Sequence, residues 1–224
     1  MRSVVRPSVW VFLGIQAFLY ACFLFLDIAK AGDGSLWIKY LSIVLCLVFS
    51  IGWSRRGGEI LVTAALALTV GADTFLLVID GYYILGLMLF CGVQGLYLLR
   101  LEKETGERAR WTARLGLYLA GLPVLMYAEL LTPLNSVALF YLILFVCNAL
   151  WSRRLKGVRG QMFSIGLVLF LCCDLCVGMF NLPRLVPRGL FLLARIGMWL
   201  FYLPAQVLIT LSGLPDVFTG GTRE

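Results

Sequence analysis

Long apolar stretches alternate with short polar separators along the whole chain. A helix needs about 20 mostly apolar residues to cross the hydrocarbon core of a bilayer. Eight stretches approach that length, and the separators between them contain glycine, proline or charged residues. The predicted helices cover about residues 9–29, 36–54, 59–79, 82–99, 112–131, 134–151, 161–180 and 189–212. The pattern therefore predicts an all-α, polytopic membrane helix bundle of about eight transmembrane helices, forming one membrane domain over residues 1–224.

Composition and charge agree with a membrane protein. Of the 224 residues, 61% are hydrophobic and 14% are charged, whereas soluble domains carry about 25% charged residues. The net charge of +7 comes from short basic groups between the apolar stretches, so we expect membrane orientation rather than nucleic-acid binding to explain it. Fourteen of the 19 lysines and arginines fall on one predicted side. The positive-inside rule then predicts both termini in the cytoplasm, with the inner membrane as the location in a bacterium.

The two halves of the chain resemble each other. The tetrapeptide Trp53-Ser54-Arg55-Arg56 ends the second predicted helix, and Trp151-Ser152-Arg153-Arg154 ends the sixth. One acidic residue lies deep in the helix that follows each tetrapeptide, Asp73 in the third and Asp174 in the seventh. An even number of helices per copy predicts two parallel four-helix repeats. The repeats would cover about residues 1–105 and 106–224.

The two aspartates are candidate catalytic residues. A carboxylate inside a membrane helix costs a few kcal/mol or more, so Asp73 and Asp174 require an explanation. At matching depth in repeat-related helices, the two are expected to face one interior cavity, where one acid could donate a proton and the other could stabilise a cation. The alternative is that each aspartate hydrogen-bonds a neighbouring helix and only holds the bundle together.

Three further polar residues are candidates for the same cavity. Lys39, near one end of the second predicted helix, is either a counter-ion for an aspartate or a side chain that extends to the membrane interface. Tyr202 and Gln206 lie one turn apart on the last helix, where they either line a polar cavity or form interhelical hydrogen bonds.

The cysteines do not predict a metal centre. All seven lie within apolar stretches, where they fit the role of small buried hydrophobic residues. Cys172, Cys173 and Cys176 surround Asp174, but helical spacing spreads them around one turn and the chain has no histidine. We therefore expect no metal and no other cofactor.

Several short motifs resemble those of the lysoplasmalogenase-like membrane proteins (YhhN-like), a family of eight-helix proteins. Lys39 matches a lysine early in the second helix of the family. The acidic motif of the third helix is similar to Gly71-Ala72-Asp73-Thr74-Phe75-Leu76, and the fourth helix fits Gly86-Leu87 and Phe90 through Tyr97. The seventh and last helices match in Phe170-Leu171-Cys172-Cys173-Asp174-Leu175-Cys176 and in Tyr202-Leu203-Pro204-Ala205-Gln206-Val207-Leu208-Ile209.

The resemblance implies hydrolysis of the vinyl-ether bond of lysoplasmalogens without a metal or redox cofactor. Asp73 and Asp174 would be catalytic, and the supporting or substrate-binding residues would be Lys39, Gln94, Tyr97, Tyr202 and Gln206. The chain departs from the family pattern at Gln94, where the family has a histidine. Glutamine can form hydrogen bonds but cannot carry a proton at neutral pH.

Three functions remain open at this point. The first is a membrane hydrolase that acts on a lysophospholipid, and the second is a lipid-handling or proton-coupled carrier, because paired acids near the midplane also suit transport. The third is a non-catalytic structural membrane protein. The expected partner is a membrane lipid or lysophospholipid substrate, and a homo-oligomer is one alternative for the assembly.

Overall fold

The structure, a computed structural model, describes residues 6–28, 34–182 and 186–215. Within these ranges all regular structure is helical, which confirms the predicted all-α fold. The helices are α1 (Pro7–Ile28), α2 (Gly34–Ser54), α3 (Ile60–Asp73), α4 (Tyr83–Thr105), α5 (Trp111–Tyr127), α6 (Pro133–Ser152), α7 (Gly157–Asn181) and α8 (Arg188–Ser212), with a π-helix at Thr74–Val78. Four basic residues that entered the orientation argument, Arg2, Lys30, Arg184 and Arg223, lie outside the described residues.

Seven of these helices are long and apolar enough to cross a membrane: α1, α2, α3 with its π-helical extension, α4, α6, α7 and α8. The chain is therefore a multi-pass membrane protein. The orientation of its termini stays a prediction.

The fifth helix is shorter than the sequence predicted. The expected span was 112–131, whereas α5 ends at Tyr127 after 17 residues. Glu129, two residues later, has a positive φ of 58°, a conformation that a helix does not continue through. Pro123 lies inside α5 and removes one helical N–H donor.

The direction of its neighbours nevertheless requires α5 to carry the chain back across the same thickness. Asn148 of α6 contacts Gln94 of α4, and Tyr141 of α6 contacts Phe90 of α4. Contacting positions therefore advance together, so α4 and α6 run parallel. A parallel pair needs a crossover connection, and α5, which packs on α6, supplies it.

Two local features were not predicted. The third helix changes from α-helical to π-helical geometry directly after Asp73, and the Ile79 N–H bonds the Thr74 carbonyl at 2.9 Å. The fourth helix continues past the predicted end at residue 99. There the buried Arg100 Nε lies 2.7 Å from Glu104 Oε1 one turn later, and this pairing stabilises the extra turn.

The chain packs as two compact units. The terminal unit comprises residues 1–63 and 156–224, and the central unit comprises residues 64–155, so the division falls within α3. These two units are defined by which helices contact each other, whereas the predicted repeats are defined by sequence similarity. The repeat boundaries therefore stay a prediction.

Close helix contacts in the terminal unit occur at small residues. An added Cβ at Gly197 of α8 would lie 2.8 Å from Cys176 Sγ of α7. An added Cβ at Gly166 of α7 would lie 3.2 Å from the Ala205 carbonyl oxygen of α8. Small residues of this kind let membrane helices approach closely, and α7 and α8 form the most extensive pair among the described helices.

Candidate functional site

The seven predicted site residues are divided between the two units. The terminal unit contains Lys39, Asp174, Tyr202 and Gln206, and the central unit contains Asp73, Gln94 and Tyr97. The predicted cavity shared by the two aspartates stays a prediction.

Lys39 in the terminal unit is surrounded by aromatic rings. Its side chain is 5% exposed, and its Nζ lies 4.2 Å from the ring centroid of Trp199 and 5.4 Å from that of Phe23. An ammonium group over an aromatic face is attracted by the negative face of the ring. The fold thus holds the positive charge inside the helix bundle.

Tyr202 extends the aromatic group around Lys39. Its ring centroid lies 6.0 Å from that of Trp199 and 5.3 Å from that of Phe170 on α7. We call Phe23, Phe170, Trp199 and Tyr202 the aromatic cluster. Aromatic rings of this kind form an apolar lining, and their faces attract a cation.

The pairing of α7 and α8 determines the depth of Asp174. Cys176 lies opposite Gly197, and Phe170 lies opposite Tyr202. Since the two helices are antiparallel, Asp174 is level with Trp199. The Lys39 ammonium group lies over the ring of that tryptophan. Asp174 is half-buried. The terminal unit therefore brings one acidic and one basic residue to the same depth.

Gln206 lies one turn beyond Tyr202 on α8 and is fully buried. Among the described residues, no hydrogen-bond partner lies within reach of either its amide nitrogen or its amide oxygen. A buried amide without partners is costly. Both the Nε2 donor and the Oε1 acceptor of Gln206 are therefore available to a ligand.

A polar network lies on the neighbouring helices of the same unit. Gln16 of α1 donates through Nε2 to the Ser42 carbonyl at 2.9 Å and to Cys46 Sγ at 3.3 Å. The Thr210 hydroxyl of α8 donates to the Gln206 carbonyl at 2.7 Å. Every one of these residues is less than 5% exposed. Gln16 connects α1 with α2, and the Thr210 bond lies within α8.

Pro204 creates another polar contact in α8. Proline has no N–H, so it cannot bond the carbonyl of Leu200 four residues earlier. That carbonyl instead accepts a hydrogen bond from the Tyr20 hydroxyl of α1 at 3.1 Å. The hydroxyl satisfies a backbone group that would otherwise lack a partner inside the membrane.

In the central unit, Asp73 is 3% exposed and is the last residue of α3 before the π-helix. Single π-helical turns within helices are frequent at functional sites. Gly71 faces Leu89 of α4, and Gly92 faces Leu68, so α3 and α4 are antiparallel. This register places Asp73 about two turns, or roughly 10 Å, from the level of Gln94.

Gln94 belongs to a buried chain of hydrogen bonds. Asn148 of α6 donates through Nδ2 to Gln94 Oε1 at 3.0 Å and to the Gln94 carbonyl at 2.9 Å. Arg114 of α5 donates through Nη1 to Asn148 Oδ1 at 3.0 Å. Tyr97, one turn after Gln94, is fully buried. The side-chain amide of Asn148 thus connects α4, α5 and α6 of the central unit.

Sequence reasoning did not select Arg114, Asn148, Gln16 or Thr210. Asn148 and Gln16 are amides within otherwise apolar stretches, and that contrast was a visible signal. Arg114 lies within the predicted span 112–131, but it was counted only among the basic residues that set the orientation. In α5 its side chain is 4% exposed.

A sequence model described as the YhhN family matches residues 34–213. This range covers most of the chain and includes all seven predicted site residues. Searches of curated proteins and of solved structures found no match.

Proposed function

This chain belongs to the YhhN family, which includes lysoplasmalogenases, and from that premise we propose that it is a membrane hydrolase that cleaves the vinyl-ether bond of lysoplasmalogens. One observation beyond the family carries the proposal: Asp73 and Asp174 each lie within a long apolar helix. Ionisable residues at such positions are expensive and usually functional. They are the acids that this reaction would use.

The proposed chemistry begins with protonation of the vinyl-ether carbon farther from oxygen. A carboxylic acid supplies the proton, and the positive charge spreads over the adjacent carbon and the ether oxygen. Water adds to that carbon and loses a proton to a carboxylate, which gives a hemiacetal. Collapse of the hemiacetal releases a fatty aldehyde and the glycerol hydroxyl, so one water is consumed and the catalytic proton is restored.

The surroundings of Asp174 suit the second part of this reaction. Lys39, level with the aspartate, offers a counter-charge to a carboxylate. Gln206 lies about two turns, or roughly 10 Å, from the level of Asp174. Its amide, which has no partner among the described residues, is therefore available to another part of the substrate rather than to the water that Asp174 would activate.

The experiment supplies purified protein in lipid nanodiscs with a lysoplasmalogen and, separately, with a chain-matched ester lysophospholipid. We expect fatty aldehyde from the first substrate only, measured by mass spectrometry. In heavy water, aldehyde reduced immediately on release should carry one deuterium next to the former carbonyl carbon. Absence of aldehyde under all conditions would contradict the proposal. Proton-driven lipid uptake into vesicles without aldehyde release would instead favour a carrier.

A further inference from the structure

The central unit contains a buried group of donors that the proposed chemistry does not use. Arg114, Asn148 and Gln94, which we call the donor cluster, are each no more than 4% exposed. A buried guanidinium group normally pairs with a carboxylate, because an isolated buried charge is costly. Among the described residues, no carboxylate lies within ion-pair distance of Arg114, whose hydrogen bond goes to the neutral Asn148 amide.

The direction of the hydrogen bonds determines what the donor cluster lacks. Asn148 Oδ1 accepts from Arg114, and Asn148 Nδ2 donates to the oxygen atoms of Gln94. Since the oxygen of the Gln94 side chain is occupied, only its Nε2 remains, and this donor has no partner in the described part of the chain. The indole N–H of Trp151, one turn beyond Asn148 on α6, also lacks an acceptor there. The donor cluster therefore has a positive charge and N–H groups without partners among the described residues, and a ligand that binds there must supply hydrogen-bond acceptors.

The acidic residues at this end of the central unit bond other donors, although the charge of Glu102 also acts on Arg114 from beyond ion-pair distance. Each of the three carboxylates contacts a different donor at 2.7 Å. The pairs are Glu104 with Arg100, Glu107 with Arg154, and Glu102 with the backbone N–H of Ala109. The same end carries exposed Arg108, Arg110 and Arg153. Such a surface attracts anions from the adjacent leaflet.

We propose that the donor cluster binds a phosphate group, supplied by a phospholipid headgroup. Phosphate oxygens supply several acceptors and negative charge, and a guanidinium group matches them with two parallel hydrogen bonds. Arg114 lies in the first turn of α5, close to the helix end that headgroups reach. Gln94 lies about two turns from the level of Asp73, roughly 10 Å. In the proposed hydrolase, which this assignment presupposes, the cluster holds the substrate phosphodiester while the vinyl ether lies deeper.

The test measures binding, so it does not depend on turnover. Purified protein is titrated with lysophosphatidylcholine, which has a phosphate and no vinyl ether, and with a chain-matched monoacylglycerol, which has neither. We expect Arg114→Gln to weaken lysophosphatidylcholine binding about tenfold or more, because a charge-assisted pair is lost. The matched surface variant Arg154→Gln should bind as the parent does. Monoacylglycerol binding should be unchanged in both variants.

A second variant separates binding from folding. Asn148→Asp places a carboxylate beside Arg114, and the Gln94 amide can rotate to donate to it. The donors are then satisfied internally, so thermal stability should hold or rise while lysophosphatidylcholine binding falls. Loss of binding in both variants, with glycerophosphocholine and inorganic phosphate ineffective, supports a lipid source. Binding of inorganic phosphate with the same dependence on Arg114 supports the phosphate site with a free ligand. Parent-like binding by Asn148→Asp and Arg114→Gln would overturn the proposal.

Discussion

The α3–α4 pair of the central unit and the α7–α8 pair of the terminal unit follow one plan. In each pair the first helix carries the aspartate, Asp73 or Asp174. The second helix carries a glycine, Gly86 or Gly197, that meets a side chain two or three residues after the aspartate. An added Cβ would lie 2.6 Å from Leu76 Cγ in one pair and 2.8 Å from Cys176 Sγ in the other. The shared positions are those expected of duplicated helix pairs.

Both second helices also carry a buried glutamine about two turns from the depth of the aspartate, and here the two pairs differ. Gln94 is held by Asn148 through its side-chain and backbone oxygens. Gln206 has no partner for its amide among the described residues. The first helices differ as well, since α3 becomes π-helical after Asp73 whereas α7 stays α-helical to Asn181. The amide of Gln94 is therefore hydrogen-bonded within its unit, whereas the amide of Gln206 has no partner among the described residues.

The largest expected effect concerns the aspartates. Asp73→Asn and Asp174→Asn should each lower vinyl-ether cleavage by about 10²–10⁴, because asparagine keeps the volume but cannot carry the catalytic proton. Removal of a buried charge should leave the thermal stability of Asp73→Asn unchanged or raised, whereas Asp174→Asn should lose stability because Lys39 is left without its proposed counter-charge. The measurement is aldehyde yield beside thermal unfolding in detergent, with the exposed Asp80→Asn as the control. Cleavage at the parent rate in both variants would end the acid–base proposal.

The glycine contacts should affect stability in both pairs. Gly86→Ala and Gly197→Ala should lower the free energy of unfolding by about 1–3 kcal/mol, because the new methyl group overlaps the facing helix. Gly95→Ala is the control, since nothing lies within 4 Å of that position. There the better helix propensity of alanine should hold or raise stability by about 0.5–1 kcal/mol. Adding Cys176→Ala to Gly197→Ala should restore the loss. An equal loss in the control would mean that helix contact is not the cause.

The glutamines should respond in opposite directions to the same substitution. Gln94→Met removes the bond from Asn148 Nδ2 to the amide oxygen and should cost about 1 kcal/mol of unfolding free energy. Gln206→Met removes an amide that has no protein partner, so stability should hold or rise by about 1 kcal/mol. Thermal unfolding of both variants gives the comparison directly. Equal losses would show that Gln206 is as firmly bonded as Gln94.

The remaining difference between the two pairs is Pro204 of α8, since neither α3 nor α4 contains a proline. Tyr20→Phe leaves the Leu200 carbonyl without its donor and should lower the free energy of unfolding by about 0.5–1.5 kcal/mol. Pro204→Ala restores a backbone N–H at that position, which can bond the same carbonyl. Tyr20→Phe should therefore cost little in the Pro204→Ala background. A double-mutant cycle without coupling between the two changes would refute this connection.

The helix positions were predictable because each membrane helix must itself contain a long apolar stretch, which the sequence shows directly. The predicted span 36–54 corresponds to α2 at Gly34–Ser54, and 189–212 corresponds to α8 at Arg188–Ser212. The π-helix after Asp73 was not predictable in this way. Leu76 of the π-helix faces Gly86 of α4, and apolar content alone does not distinguish α-helical from π-helical turns.

The hydrogen-bond partners of the buried polar residues could not be predicted from the sequence either. Gln94 was selected because it departs from a family pattern, but its contact with Asn148, 54 positions away, requires α4 and α6 to be parallel neighbours. Arg114 was counted only among the basic residues that set the orientation, because its bond to Asn148 depends on the packing of α5 against α6. The selected aspartates lie within apolar helices, as their surroundings predicted. Their catalytic role stays a prediction.

The short α5 has a consequence for the lipids around it. Its 17 residues rise about 25 Å, whereas the hydrocarbon core of an ordinary bilayer is about 30 Å thick. The resulting hydrophobic mismatch costs a fraction of a kcal/mol per ångström and is relieved when the bilayer thins locally. The annulus of lipid beside α5 is therefore compressed. Compression draws headgroups inward along the first turn of α5, which contains Arg114. The length of this helix therefore affects how far a phosphate group must move to reach the donor cluster.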